Sequence, residues 1–334
     1  MRKIVGLGET VLDIIFRDDK PTAAIPGGST FNALISLGRT VRKKFPEVPV
    51  LMVTETGDDH VGDIVTSFME ENGVSTAAVT RNPGTQTHVS LAFLDSNNDA
   101  RYQFYKDHGS ASLDPERVSG ISFAKDDLVL FGSYFAINPK IRDYTRKLLT
   151  EARKAEAVIY YDINFRKNHL RDLPETFPNI QENCRLSDFV RGSAEDFGYL
   201  FGTEDPEDIY RKHIKELCPN FICTCGSRPI HVFTEQQHFT FSVEQIDTVS
   251  TIGAGDNFNA GFIYALLSLG ISRERAVTSM EENGAAAGSA LAESRDVASI
   301  LTEDEWKQVV NIAGKFSANV CRSLFNYVDP DFEI

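Results

Sequence analysis

Cysteine is scarce and unpatterned. The chain carries five, Cys184, Cys218, Cys223, Cys225 and Cys321. The number is odd, and the single-residue gap between Cys223 and Cys225 fits neither a zinc knuckle nor a thioredoxin-type pair. Buried, reduced thiols in a cytoplasmic protein are the expectation. Histidine is also sparse, with seven residues and no His-Glu-x-x-His pair, so a histidine metal site is not expected. Basic charge is short: 34 Lys and Arg against 48 Asp and Glu give a net charge of -14. That balance argues against a surface for nucleic acid or an anionic membrane, though not against one small anion held locally. No stretch approaches the roughly 20 apolar residues of a membrane span. Met1-Arg2-Lys3-Ile4-Val5 briefly imitates an export signal, but Glu9 and Asp13 interrupt its apolar core. No internal repeat or low-complexity tract occurs.

What remains is an ordinary globular mix, 334 residues with 42% hydrophobic and 25% charged. Length alone suggests about two domains, or one large α/β unit with an addition. Ile4 to Gly8 has the continuous apolar character of a buried strand, and Val11 to Phe16 extends or restarts it. Asp18 to Pro21 is a turn. Pro26-Gly27-Gly28-Ser29 leads into a helix from about Thr30 to Leu37, with Ser29 as its N-cap and Gly38 closing it. A strand at Val50–Thr54 and a helix from Asp63 to Asn72 follow, then a hairpin formed by His88–Leu94 and Tyr102–Tyr105. Hairpins inserted among strand–helix units often form lids or dimer surfaces. Beyond it, apolar strands at 128–131, 157–161, 189–190 and 221–224 alternate with helices at about 140–154 and 195–201. A second hairpin over 230–241 precedes helices at about 255–269, 272–291 and 303–323. Apolar strands alternating with helices predict an α/β fold with a mainly parallel sheet sandwiched by helices. No Pro/Gly-rich linker divides the chain. The expectation is a single domain over 1–334, with a small β lid inserted at about 14–25 and 88–106.

Several nucleotide loops are excluded. No Gly-x-x-x-x-Gly-Lys-Ser/Thr occurs, Gly6-Leu7-Gly8 lacks the third glycine of the dinucleotide fingerprint, and the protein-kinase signatures are missing. The sharpest segment is Ser250-Thr251-Ile252-Gly253-Ala254-Gly255-Asp256-Asn257-Phe258. A Gly-x-Gly turn runs straight into an amphipathic helix, presenting free N–H groups and the positive end of a helix dipole. Asp256 in the first turn is either a simple cap or a general base beside an anion hole, a pairing suited to phosphoryl transfer to a hydroxyl. A second glycine turn, Gly27-Gly28, also feeds a helix and has Asn32 in its first turn. With Asp13 near a strand end, these residues either grip sugar hydroxyls or merely build a tight loop.

Taken together, these segments resemble the ribokinase-like (PfkB) carbohydrate kinase family. Gly27-Gly28-Ser29-Thr30-Phe31-Asn32-Ala33 is similar to its N-terminal signature, and Gly253-Ala254-Gly255-Asp256-Asn257-Phe258-Asn259-Ala260-Gly261-Phe262 to its C-terminal one. Gly8-Glu9 with Asp13, Gly57-Asp58-Asp59 with Gly62, Asp162-Ile163-Asn164-Phe165-Arg166 and Thr224-Cys225-Gly226 extend the resemblance over nearly the whole chain. The resemblance implies a ribokinase-like fold and a catalytic base at Asp256. It implies a phosphoryl cradle at the N–H groups of Gly253, Ala254 and Gly255. Asp13, Gly28 and Asn32 would hold the sugar, with Asn164 and Arg166 near the phosphates or the far end of the substrate. Arg191, Ser193, Thr224, Gly226 and Asn283 would flank ATP. By composition alone, the small-residue run from Asn283 to Gly288 is equally a helix-packing stretch.

Three departures stand out. Ser250-Thr251-Ile252 replaces an Asp-Thr-Thr whose aspartate is associated with a monovalent cation, so that requirement stays open. Ser193-Ala194-Glu195-Asp196 replaces Asn-x-x-Glu, making Asp196, or Glu195 beside it, the candidate to hold magnesium-bound water. Arg191 stands where a lysine is often found and can contact phosphate bidentately.

The expected activity is ATP- and Mg2+-dependent phosphorylation of a free ketose such as fructose. Ribose, a keto-sugar acid and a nucleoside stay open, as does a non-catalytic sugar or nucleotide sensor. The expected partners are sugar and ATP, without nucleic acid or membrane, and with the lid as a candidate homodimer surface.

Overall fold

The computed structural model describes residues 2–94, 100–105, 113–273, 275 and 301–334. In chain order the strands are β1 (Ile4–Leu7), β2 (Val11–Arg17), β3 (Lys20–Gly27), β4 (Val50–Gly57), β5 (Val74–Ser75), β6 (Val79–Asn82), β7 (Val89–Leu94), β8 (Ala100–Tyr105), β9 (Leu128–Gly132), β10 (Val158–Asp162), β11 (Phe189–Ser193), β12 (Phe221–Cys225), β13 (Arg228–Phe233) and β14 (His238–Phe241). The helices are α1 (Ser29–Lys44), α2 (His60–Glu71), α3 (Pro115–Ser119), α4 (Arg142–Lys154), α5 (Leu173–Leu186), α6 (Ala194–Phe201), α7 (Pro206–Ile209), α8 (Ala254–Ser268) and α9 (Glu303–Cys321).

A ten-stranded sheet runs β14-β13-β12-β11-β10-β9-β1-β4-β5, with β6 beside β4. It is parallel from β12 to β5, and β13 and β14 add antiparallel strands at one edge. Alternate residues of each central strand feed opposite cores. Ile4, Leu128, Leu130, Val158 and Tyr160 pack with α1, α8 and α9, whereas Val5, Val129, Phe131, Ile159 and Tyr161 pack with α4, α5 and α6. Burial on both faces is why these strands carry apolar residues continuously.

A separate four-stranded sheet, β3-β2-β7-β8, contains the parts of the expected lid that are described. Residues 95–99 and 106 lie outside the described residues. Val11–Arg17 therefore does not extend β1, because the chain leaves the large sheet after Leu7 and starts the small one. The Asp18-Asp19 link between β2 and β3 holds both residues at positive φ, 50° and 56°. That is the mirror-image two-residue turn matching strand twist, and aspartate tolerates it.

Helix α1 differs from the sequence expectation at both ends. Helix α1 begins after Gly28 and runs through Gly38 to Lys44. A Cβ on Gly38 would lie 2.2 Å from the Asn72 carbonyl oxygen, so this glycine permits close packing and does not end the helix. The helix expected over 272–291 lies outside the described residues except at Ser272, Arg273 and Arg275.

The strand sequence moves outward in both directions from β1 and β9, which places a topological switch point there. Ligands of open α/β sheets bind beyond the C-terminal strand ends at such a point. Helix α8 is anchored beneath it by aromatic packing: Phe262 lies 4.8 Å from Tyr160 and 5.2 Å from Phe189 between ring centroids. Truncation by Phe262→Ala is expected to cost about 3–5 kcal/mol, read as a lowered denaturant midpoint with an unchanged slope.

Candidate active site

At the C-terminal ends of β10, β11 and β12, one buried cation organises three strands. Arg191 on β11 is only 6% exposed. Its Nη1 lies 3.1 and 3.3 Å from the two oxygens of Asp162, and its Nη2 donates to Thr224 Oγ1 at 2.6 Å. Asn259 on α8 donates to Asp162 Oδ2 at 2.6 Å and accepts from the Tyr160 hydroxyl at 3.0 Å. Burial opposes the charge, but the Asp162 carboxylate beside it outweighs that, holding Arg191 protonated beyond its ordinary range. Helix α8 reaches this cation because residue 255 is glycine. A Cβ there would lie 2.9 Å from Nη2 and 3.0 Å from Nη1.

The turn ahead of α8 is held from several sides. Gly253 sits at φ 77° as its N-cap. Asn257 donates from its side chain to the carbonyls of Gly253 and Asn326, both at 2.8 Å, and accepts from the Ser36 hydroxyl. The backbone of Val328 donates to that same hydroxyl at 3.0 Å. The Ala254 N–H is turned onto the Thr251 carbonyl at 3.2 Å. The Ser250 hydroxyl accepts from the Ile252 N–H at 3.2 Å.

Asp256 follows in the first helical turn. Ser29 donates to its Oδ1 at 2.7 Å and Asn32 Nδ2 to its Oδ2 at 2.8 Å. Ser29, expected as a helix cap, is thus a partner of Asp256, and Gly28 takes the cap position. Burial raises the Asp256 carboxyl above its usual range, the two side-chain hydrogen bonds pull it back, and Asp162 and Arg166 act in opposite senses. A raised carboxylate is a better proton acceptor for a hydroxyl.

Asp13 lies a short distance away, across Gly27. A Cβ on Gly27 would meet Asp13 Oδ2 at 2.7 Å and Asn32 Oδ1 at 3.8 Å. Gly28 has φ 127°, and a Cβ there would meet the Glu9 carbonyl at 2.3 Å. Asp13 and Ser90 are direct partners in the β2–β7 pairing, and the Ser90 hydroxyl donates to Asp13 Oδ1. Burial pushes the Asp13 carboxyl up to about 6, against the Ser90 bond. The Asn32 Oδ1 atom is buried and has no hydrogen-bond partner among the described residues.

Beyond β10, Asn164 sits at φ 38° and donates to the Ser133 hydroxyl at 2.6 Å, Ser133 itself being at φ 56°. Two non-glycine residues in the left-handed region mark strained backbone at adjacent strand ends. The Arg166 guanidinium is half exposed and lies 3.9 Å from Asp196 Oδ1. Asp196 uses its Oδ2 in a reciprocal cap with Ser193, at 2.8 Å from both the Ser193 N–H and hydroxyl. Its Oδ1 is buried and has no hydrogen-bond partner among the described residues. Glu195 is exposed and accepts from the Tyr199 hydroxyl at 2.9 Å.

A cavity of about 890 Å³ opens beside this cluster, with Arg191, Ser193, Glu195, Thr224, Gly226 and Gly255 on its wall. Gly226 turns from β12 into β13 at φ 65°. The far wall comes from α9, through Lys307, Val310 and Asn311.

The structure therefore gathers Asp256 with Asn32, and Asp13 near Gly27 and Asn32. It gathers Arg191, Ser193, Glu195, Thr224, Gly226, Ala254 and Gly255 around the cavity. Asn283 lies outside the described residues. Arg191 differs from expectation: both of its forked ends are already engaged by Asp162 and Thr224, which fixes a charge under the helix start. The cradle also narrows, since the Ala254 N–H already has an acceptor. Sequence reading gave Ser29 only a capping role and assigned no separate role to Ser90, Ser133, Asp162 or Asn259. Asn259 carried a usable signal, a polar residue on an otherwise apolar helix that needs a buried partner.

Fold and site together define an α/β protein with its ligand crevice at the carboxyl ends of a parallel sheet. A family profile described as pfkB family carbohydrate kinase matches residues 1–304, and the chain belongs to that family. It is 28% identical over 286 residues to a fructokinase of Rhizobium leguminosarum bv. trifolii, covering 84% of each chain. Among solved structures, fructokinase from Vibrio cholerae O395 in its fructose-, ADP- and calcium-bound form superposes with TM-score 0.77 at 18% identity, covering 98% of this chain and 94% of that one. Aminoimidazole riboside kinase from Salmonella enterica, complexed with aminoimidazole riboside and an ATP analogue, gives 0.75 at 17% identity, covering 99% and 97%. These structural likenesses carry the ribokinase-like fold. Among the described residues no helix is long and apolar enough to cross a membrane.

Two outcomes test this geometry. Gly255→Ala pushes its Cβ into the Arg191 guanidinium, so turnover in a carbohydrate-kinase assay should fall by roughly tenfold or more while the melting temperature drops little. Asp13 ionises near 4 when unfolded and at about 6 when folded, so the native state holds the extra proton in that window. The stability this gives is full below pH about 4 and lost as pH rises through about 6. Asp13→Asn should therefore be more stable than the parent above pH 6, by up to roughly 3 kcal/mol in denaturant titrations, and equal to it at pH 4.

Proposed function

We propose that the chain is an ATP-dependent kinase that phosphorylates a hydroxyl of a free ketose such as fructose. The observation that carries this is Asp256: a carboxylate with a raised proton affinity, fixed by Ser29 and Asn32, in the first turn of the helix whose start borders the cavity. A sugar hydroxyl placed against Asp256 loses its proton to the carboxylate as its oxygen attacks the γ-phosphorus and the bond to the β,γ-bridging oxygen breaks, releasing ADP. The Gly253 and Gly255 N–H groups and the positive end of α8 favour the charge that develops on the phosphoryl oxygens. Arg191 adds a fixed positive charge beneath that turn. Asp13 and the Oδ1 of Asn32, which has no partner among the described residues, are acceptors for sugar hydroxyls. Gly28 lets the chain pass under Glu9, and Asn164 and Arg166 lie towards the far end. The small sheet acts as the lid of a single kinase domain, excluding water from the transfer, and its outer face is where two copies would pair.

ATP fits the cavity between Thr224, Gly226 and α9. Asp196 Oδ1, buried and without a hydrogen-bond partner, suits a magnesium-bound water, with Glu195 on the cavity wall nearby. Mg2+ supplies neutralisation of the phosphate charge when bound. The fructokinase relatives and the fructose-bound neighbour favour a ketose; the aminoimidazole riboside kinase neighbour keeps a nucleoside in the comparison.

The test is a coupled assay with Mg-ATP against fructose, ribose, a keto-sugar acid and a nucleoside. The reading expects fructose to give the highest kcat/KM. Asp256→Asn should lower kcat by about 10²–10⁴ while calorimetric sugar affinity stays within a few fold. Near-full turnover in that variant removes Asp256 as the base. Sugar binding without product from any acceptor points to a sensor.

A further inference from the structure

Among the described residues six glycines lie inside helices. A Cβ on Gly38, Gly62, Gly198, Gly255 or Gly261 would stand 3.2 Å or less from a neighbouring atom, so close packing accounts for each of these. Gly314 is different. It lies in the middle of α9, where glycine weakens a helix relative to alanine. A Cβ there would meet nothing within 4 Å among the described residues, although the position is only partly exposed. Packed interiors rarely leave such a gap. The missing side chain opens instead on the cavity of about 890 Å³.

Helix α9 has two working faces. Trp306, Val309, Ala313 and Phe316 pack in the core shared with α8. The other face borders the cavity in two neighbouring rows, each repeating every four residues. Val310, Gly314 and Ala318 form an apolar row with a notch at its centre, and Lys307, Asn311 and Lys315 form a polar row beside it. Phe241 and Val243, just beyond the β13–β14 hairpin turn, contribute apolar surface to the same cavity. The space at Gly314 therefore has apolar walls and one polar edge. That suits a flat heteroaromatic ring, whose faces are apolar and whose edge carries donors and acceptors. The Asn311 amide offers one group of each kind to such an edge.

We infer that Gly314 is the seat of the nucleotide's purine base, the absent side chain leaving room for the ring against the backbone of α9. The inference rests on the reading of this cavity as the ATP site and says which end of it takes the base. The placement agrees with the helix geometry. Gly261 of α8 lies against Ala313, since a Cβ on Gly261 would stand 2.6 Å from the Ala313 Cα. The seat is thus level with a point six residues along α8 from Gly255, or about 9 Å. That separation leaves room for a ribose and its phosphates between the base and the Gly253–Gly255 turn. Gly314 acts by shape: it makes no bond to the nucleotide, and any larger residue fills the space the ring needs.

Gly314→Ala and Gly314→Leu, made in the full chain, separate a seat from a packing position. Both replacements favour a helix over glycine, so the ligand-free variants should melt at or above the parent temperature, by about 2 °C. Calorimetric affinity for ADP should nevertheless fall, roughly tenfold for Gly314→Ala and a hundredfold for Gly314→Leu, the scale of overfilling a fitted contact. In turnover the loss should appear in KM for ATP and not in KM for the sugar. Unchanged ADP affinity in Gly314→Leu overturns the proposal. So does a melting temperature that falls in step with the affinity, which makes Gly314 a packing residue. A parent chain that binds no ADP overturns it as well. If the parent binds ADP but turns over no sugar, the kinase reading fails separately, and the ADP affinities of the two variants still decide the seat.

Discussion

A guanidinium taken out of water costs several kcal/mol unless its partners are in place, and removing one partner leaves an uncompensated charge. Arg191 meets that requirement through Asp162 and Thr224, and Asp162 meets its own through Asn259. Three strand ends and the first two turns of α8 therefore have to arrive in one arrangement, or none of these groups is satisfied. The aromatic stack of Phe262 on Tyr160 and Phe189 holds the helix at the height this pairing needs. On a chain of net charge -14, the Arg191 charge is balanced by Asp162, so it is the start of α8 that offers positive potential to an anion.

Two carboxylates near that point have different surroundings. Asp13 is part of the small sheet, with one hydroxyl bond from the adjoining strand, and burial dominates its proton affinity. Asp256 belongs to a helix start, where Ser29 and Asn32 occupy one oxygen each. Asn32 faces both regions: its amide nitrogen serves Asp256 and its oxygen lies towards Gly27 and Asp13. Asn32 thus stands between the helix that carries Asp256 and the sheet that carries Asp13, at the place where substrate chemistry is proposed.

Much of this was legible in the residues. Continuous apolar runs gave the parallel sheet, because strands buried on both faces need apolar residues at every position. The Gly-Ala-Gly turn before an amphipathic stretch gave the helix start and Asp256. The hairpins were visible, but not that Val11–Arg17 joins a second sheet, since strand partners are set by long-range pairing that local alternation does not encode. Gly38 misled as a helix end because its role depends on Asn72, 34 positions away in the sequence. The Arg191–Asp162–Asn259 chain was out of reach for the same reason: only the crossover of α8 under β10 and β11 brings the three together. Ser29 read as a cap because its actual partner lies on another helix.

The segment around residues 326–328 adds a temporal constraint. The Asn326 carbonyl and the Val328 amide complete the hydrogen bonding of Asn257 and Ser36 beneath the Gly253 turn. During synthesis, the large sheet has been made long before these residues leave the ribosome. The start of α8 must wait with its polar groups hydrated until they emerge. The Gly253 turn is thus completed by residues far downstream of it, and Tyr327 and Val328 enter the core of α1, α8 and α9 in the same step.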